Sequence, residues 1–89
     1  MLRCLVYRSR ATVAFSPPAL KMLELLCSSH NHTRGISGRL HYADGQFVHV
    51  LEGPHAALDE LLEVIRADPR HTDITVLLDR PVSGRAFSL

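Results

Sequence analysis

Hydrophobic and polar residues alternate at the start of the chain, in the segment LRCLVYR at positions 2–8. A period of two is typical of a β-strand, so this segment is the first predicted strand and carries Tyr7. Ser16-Pro17-Pro18 follows, which combines a hydroxyl residue suited to capping a helix with a proline suited to its first turn. This predicts the start of a helix, in which leucines recur at helical spacing from Ala19 to about Ser29.

One stripe of this helix combines apolar and polar side chains. Leu23, Cys27 and Asn31 are four residues apart and therefore lie in one line along the helix, provided that the helix reaches Asn31. The stripe would present a small thiol and an amide on the same face.

Two further strands and a turn are predicted in the middle of the chain. The segment ISGRLHY at 36–42 and the apolar run around 47–51 are separated by Ala43-Asp44-Gly45. A turn residue followed by glycine between two such runs indicates a β-hairpin. Gly53-Pro54 then ends the third strand and precedes a second helix.

The second helix and a fourth strand complete the pattern. Apolar residues at helical spacing extend to Ile65, and Asp68-Pro69 ends the helix because proline disfavours helical geometry in the residue before it. Alternation over 74–78 predicts the fourth strand. Positions 1–89 thus form a single α+β domain with a ferredoxin-like βαββαβ sandwich, two helices lying on one face of a mixed sheet. For the segment 80–89 we expect a fifth strand that is either truncated or absent.

Composition narrows the function classes. Ten basic and nine acidic residues give a formal charge of +1, without the basic excess that favours nucleic acid or anionic membranes. The N-terminal apolar stretch is too short for a signal peptide, and no apolar run reaches membrane-spanning length. We therefore expect a cytoplasmic protein with no nucleic-acid or membrane partner. Cys4 and Cys27 are expected to be free thiols, although a disulfide between them stays an alternative.

His49 interrupts the apolar run of the third strand. Phe47, His49 and Leu51 share one face by alternation. If the helices cover that face, His49 points into the groove between them, where a small ligand would bind. The alternative is a packed core histidine with one ring nitrogen bonded to backbone or water.

Enzymatic and metal-binding functions are disfavoured. His30-Asn31-His32 spells part of a nuclease motif, but neighbouring helical positions point in different directions, and no cysteine or carboxylate lies at ligand spacing. Cys27 and His30 are the local candidates for a nucleophile and its base, on an apolar helix face unsuited to lowering a thiol pKa. We expect no metal site and no enzyme.

Several stretches, in order and at matching spacing, carry a family signature. They are LVYRSRA at the start, NHTRGISG at 31–38, YADGQF at 42–47, LEGP at 51–54 and IRADPRH at 65–71. Along nearly its whole length the chain resembles the BLUF domain, a flavin-binding blue-light sensor module.

The resemblance implies a flavin site and a role for each matching residue. Tyr7 matches the tyrosine that gives an electron and a proton to the excited flavin, and Asn31 matches the asparagine that hydrogen-bonds the ring. Leu23 and Ile65 would clamp the two ring faces, with Cys27 at a position often held by a small hydroxyl residue. The polar segment near the ribityl chain and ring edge is matched by Asp68, Arg70 and His71.

Two departures from the family pattern bear on function. His49 stands where the family has a glutamine whose amide changes its hydrogen bonding in light, and a rigid imidazole cannot easily reproduce that switch. The chain also ends before the family's fifth strand and its Trp-x-Met stretch. An open sheet edge invites pairing, so a homo-oligomer formed through it is a hypothesis.

The expected function is a blue-light photoreceptor that binds FAD non-covalently, with FMN and riboflavin as other flavins the site could hold. It would signal to a downstream protein effector. The alternative is a degenerate BLUF-like domain that lacks photoswitching and acts as a protein-interaction module. A small acylphosphatase-like enzyme is a third class, but the chain lacks the glycine-rich phosphate loop that it would need.

Overall fold

A computed structural model describes residues 2–87. Its elements follow the order β-α-β-β-α-β, which confirms the predicted ferredoxin-like α+β fold. In chain order they are β1 (Leu2–Ala11), α1 (Pro17–His32), β2 (Ser37–Ala43), β3 (Gln46–Pro54), α2 (His55–Ala67) and β4 (His71–Val82).

The four strands form one sheet in the order β2-β3-β1-β4. The predicted mixed sheet is wrong, because all three neighbouring pairs are antiparallel. Each helix connects two parallel strands, β1 to β2 and β3 to β4, but a third strand lies between the members of each pair. The parallel strands therefore never become neighbours.

Helix α1 begins where the sequence predicts and continues further. The Ser16 hydroxyl accepts a hydrogen bond from the backbone N–H of Ala19 at 3.3 Å, and Pro17 occupies the first helical position. The helix passes Ser29 and ends at His32. Asn31 consequently belongs to α1 and shares its stripe with Cys27, as predicted.

The remaining boundaries also follow local sequence signals. Asp44 and Gly45 both have positive φ, 52° and 77°, as a two-residue hairpin turn between β2 and β3 requires. Helix α2 ends at Ala67, and the next residue, Asp68, has an extended backbone because it precedes Pro69. Both helices lie on the face of the sheet that carries Leu5 and Leu51, so the predicted layering is confirmed.

Strand β4 is longer than predicted, because residues 80–82 continue it alongside the start of β1. The following residues 83–87 form bends rather than a strand, while 88–89 lie outside the described residues. Arg85 fastens this segment to the sheet by donating to Ser37 Oγ at 2.7 Å and to the Gly35 carbonyl at 2.6 Å. The buried Glu52 carboxylate accepts the backbone N–H groups of residues 86 and 87.

The core lies between the sheet and α2. Its buried apolar residues are Leu5, Tyr7, Ile36, Leu51, Leu58, Leu61 and Ile65. Helix α1 contributes only one buried residue, Asn31, and exposes Met22, Leu25 and Leu26. Neither helix in the described part of the chain is long and apolar enough to span a membrane.

Candidate functional site

A cavity of about 340 Å³ opens between α1 and α2 above the sheet. That volume lies within the range of small-molecule sites, and such sites combine apolar walls with a few polar groups. The apolar lining residues are Phe15, Leu23, Leu26, Leu40, Phe47, Leu61, Val64 and Ile65, and the polar or ionisable ones are Tyr7, Cys27, His30, Asn31, His49, Asp68, Arg70 and His71.

Tyr7 and His49 occupy the base of this cavity. They are cross-strand partners in β1 and β3, and the Tyr7 hydroxyl lies 3.0 Å from Nδ1 of His49. Their side chains are nearly inaccessible, at 3% and 6% exposure. Burial raises the pKa of the Tyr7 phenol far above its ordinary value. Burial, with a smaller contribution from His71, lowers the pKa of His49 to about 4, so both groups are neutral near neutral pH.

His71 joins three elements beside that pair. Its Nε2 lies 2.8 Å from the Ile65 carbonyl of α2, and its Nδ1 lies 2.8 Å from the hydroxyl of Ser9 in β1. A carbonyl can only accept, so Nε2 of His71 carries a proton and donates it. Ser9 is almost fully buried. The contact with Ile65 joins the start of β4 to α2, and the contact with Ser9 joins it to β1.

Asp68 and Arg70 form an ion pair at the edge of the cavity. Arg70 Nη2 lies 2.6 Å from Asp68 Oδ2, and Arg70 Nε also donates to this carboxylate. The hydrogen bonds from Arg70 lower the pKa of Asp68. Pro69 between them begins the turn into β4, so the pair holds a charged, planar guanidinium beside the apolar slot.

Helix α1 supplies Asn31 and Cys27. Asn31 is 7% exposed and lines the cavity, and its backbone carbonyl accepts from the N–H groups of Arg34 and Ile36. Burial raises the pKa of the Cys27 thiol, so the thiol is protonated at neutral pH. Cys4 and Cys27 are free cysteines, as expected.

Comparison with a protein-family model gives a match over residues 2–89 to a family described as sensors of blue light using FAD, BLUF. The match covers almost the whole chain. This chain belongs to the BLUF family.

Relatives of this BLUF chain include light-regulated enzymes and sensors. The photoactivated adenylate cyclase subunit beta of Euglena longa is 38% identical over 86 residues, which cover 97% of this chain and 10% of the relative. The dark-state structure of the BLUF protein BlrB is 40% identical with a TM-score of 0.86, over 97% of this chain and 65% of that one.

Klebsiella pneumoniae BlrP1, solved with FMN and cyclic diGMP, is 39% identical with a TM-score of 0.87, over 96% of this chain and 23% of that one. This BLUF chain spans about a tenth of the length of the curated relatives that it matches.

All the site residues predicted from the sequence line the one cavity. They are Tyr7, Leu23, Cys27, Asn31, His49, Ile65, Asp68, Arg70 and His71. Leu23 and Ile65 come from different helices, on the two sides of the slot that the predicted clamp requires. The prediction of His49 as a cavity residue agrees with this placement, and its ring nitrogen contacts Tyr7 rather than backbone.

Sequence reasoning missed part of the apolar lining. Phe15 precedes the helix cap and packs edge-to-face on Phe47, with ring centroids 5.4 Å apart. An apolar residue directly before an N-cap is a known sign of packing at a helix start, and that signal was present. Ser9 was missed because alternation identifies its face but not its contact with His71.

The residues fit a flavin ring by their chemistry. Two apolar helix faces suit the two faces of a planar heterocycle, while the imidazole of His49, the amide of Asn31 and the guanidinium of Arg70 supply hydrogen bonds for its polar edge. The negative charge of the Asp68 carboxylate does not disfavour a flavin here, because the ion pair with Arg70 neutralises it.

Proposed function

We propose that this chain is a blue-light photoreceptor module that binds FAD non-covalently in the cavity between α1 and α2. The observation that carries the proposal is the buried Tyr7–His49 pair at the base of an apolar slot, with the hydroxyl 3.0 Å from the ring nitrogen. A tyrosine in that setting can lose an electron to a ligand in the cavity while its proton moves to a neighbouring base.

Tyr7 is the proposed electron donor. When bound, the flavin supplies blue-light absorption and an electron acceptor. Burial keeps the Tyr7 proton on its oxygen in the dark, and loss of an electron makes a phenol strongly acidic. Nδ1 of His49 is the group placed to take that proton. His49 thus occupies the proposed switch position, and a change in its hydrogen bonding is the proposed signal.

The other polar side chains would orient the ring. Asn31 offers an amide that can both donate and accept, and Arg70 offers a fixed array of donors. Asp68 holds Arg70 in place, so we assign it a positioning role. His71 would fix the floor of the site through its contacts with Ser9 and Ile65.

FAD is the proposed flavin because the family description names it. A cavity of about 340 Å³ suits the ring system, and the phosphates would then extend toward solvent. FMN occurs in the BlrP1 structure, so FMN and riboflavin are the comparison ligands for a binding assay.

We further propose that positions 1–89 act as one sensory domain without catalytic activity of their own, signalling to a protein effector in the cytoplasm. Photoactivated adenylate cyclase subunits carry a similar stretch within a much longer chain. A homo-oligomer formed through the open sheet edge stays a prediction, and size-exclusion chromatography across a concentration series tests it.

The alternative function is a light-independent interaction module with a degenerate site. The observation that favours it is His49 at the position where the family carries a glutamine. Absorption spectra of the purified, FAD-reconstituted protein before and after blue illumination separate the two. A flavin band that shifts reversibly supports the photoreceptor, a bound flavin without a shift supports the alternative, and failure to bind flavin overturns the proposed cofactor.

A further inference from the structure

The tautomer of His49 is fixed by its partner. Within residues 2–87, Nδ1 of His49 is the sole hydrogen-bond partner of the Tyr7 hydroxyl, and a buried O–H without an acceptor is costly. The phenol therefore donates to Nδ1. A neutral imidazole carries one ring proton, which places that proton on Nε2.

Nε2 of His49 is the ring nitrogen left to bind a ligand. It makes no hydrogen bond within the described part of the chain, and no buried side-chain nitrogen or oxygen there lacks a partner. His49, Asn31 and Cys27 line both the ligand cavity and a smaller cavity of about 220 Å³, so Nε2 must be reachable from the region that these three residues line. His49 consequently presents a single, fixed N–H donor in this region.

We propose that the Nε2–H donor of His49 makes this cavity selective for the oxidised form of the flavin over its two-electron-reduced form. The inference rests on the proposed function, because it assumes that the N5 edge of the ring faces His49. Oxidised N5 is a hydrogen-bond acceptor and matches Nε2–H. Uptake of two electrons and one proton turns N5 into an N–H donor, and two donors then face each other.

An amide would not make this distinction. Rotation of a glutamine side chain exchanges its N–H donor for its carbonyl acceptor at the same place. The imidazole has no such exchange, since presenting an acceptor at Nε2 would require a proton on Nδ1 and the loss of the bond that Tyr7 donates. His49 is thereby a specificity-determining residue for the oxidation state of the ligand.

Anaerobic calorimetric titration of the apoprotein in the dark tests this inference. The ligands are oxidised FAD, FAD reduced with excess dithionite, which supplies the two electrons, and oxidised 5-deaza-FAD, which carries C–H in place of N5. We expect the native protein to bind oxidised FAD roughly tenfold more tightly than either of the other two, as one unmatched buried hydrogen bond implies.

The variants His49→Gln and His41→Gln form a matched pair. His41 is exposed on β2, on the sheet face away from the cavity, so His41→Gln should keep the native ratio of the two affinities. In His49→Gln the ratio of oxidised to reduced affinity should fall at least fivefold. The 5-deaza-FAD measurement uses the native protein and decides the question even if His49→Gln fails to fold.

The outcomes separate the inference from the function on which it rests. An unchanged ratio in a folded His49→Gln, or equal binding of FAD and 5-deaza-FAD by the native protein, overturns the inference and leaves the flavin site standing. No binding of any of the three ligands by the native protein overturns the proposed function and the inference together.

Discussion

Tyr7 and His49 face each other across the β1–β3 pair, with the phenolic oxygen 3.0 Å from Nδ1 and the two rings in an edge arrangement at 61°. Their strands hold them in register as Cα partners. Because both side chains are buried, a proton can pass between them without entering bulk water. A substitution of Tyr7 removes the group that gives the proton, whereas a substitution of His49 changes the group that receives it.

His49→Gln should create or enlarge a light-induced shift of the flavin absorption band. The amide can exchange its donor and acceptor by rotation, whereas the imidazole is limited to one tautomer by Tyr7. Difference spectra after blue illumination of the FAD-loaded variant measure the effect. His41→Gln is the control, and a His49→Gln protein that binds flavin but shifts no more than the native protein would contradict the prediction.

Tyr7→Phe should abolish any light response while flavin remains bound. The change removes the hydroxyl and the transferable proton but keeps the ring that packs in the core. It also leaves Nδ1 of His49 without its partner, at a cost of about 1 kcal/mol in the free energy of unfolding. Tyr42→Phe changes the other tyrosine, which packs on Phe47, and should leave the response intact. A response that survives Tyr7→Phe removes Tyr7 from its proposed role.

Local signals in the sequence were sufficient for the elements and for most of the site. The Ser16 cap, the Asp44-Gly45 turn and Pro69 each act through neighbouring backbone geometry, so they can be identified without tertiary information. Alternation assigned Tyr7 and His49 to faces of their strands, and the family resemblance assigned the cavity residues.

Contacts between distant parts of the chain could not be predicted in this way. Tyr7 and His49 are 42 positions apart, and their alignment depends on the β1–β3 register, which no single turn fixes. The contact of His71 with Ser9 spans 62 positions and follows the irregular pairing of β1 with β4. The mixed sheet was wrong for the same reason, because strand order is a property of the whole fold.

The free energy of unfolding should depend on pH through His49. Its pKa is lowered to about 4 in the folded state, so below pH about 6.5 the unfolded chain binds a proton that the folded chain does not. Stability is therefore full above pH about 6.5 and falls as the pH drops toward 4, by about 3 kcal/mol across the window.

Urea unfolding of the apoprotein between about pH 7 and about pH 5 measures this dependence and avoids the range in which carboxylates titrate. His49→Gln should flatten the curve relative to the native protein. Because the other five histidines are unchanged in that variant, parallel curves for the two proteins would show that His49 is not the group responsible.

Binding of FAD should protect α1 from hydrogen exchange more than it protects the sheet. Helix α1 buries only Asn31, and Leu26 on the cavity rim is 59% exposed, so the helix has few apolar contacts to hold it. A ligand between the helices would supply them and stabilise the folded state by mass action. ADP, which lacks the flavin ring, is the control ligand. Equal protection by ADP and FAD would mean that the ring does not occupy the slot.

Arg85→Met should lower the free energy of unfolding by about 2 kcal/mol, because charge-assisted hydrogen bonds contribute about that much. The guanidinium donates to Ser37 Oγ, the Glu52 carbonyl and the Gly35 carbonyl, and the variant removes these three hydrogen bonds beside a buried carboxylate. Urea unfolding measures the loss, with Arg80→Met at an exposed position of β4 as the control. Amide exchange at Ala86 should accelerate at the same time, since its N–H donates to Glu52. Equal stability of the two variants would show that this segment does not hold the sheet.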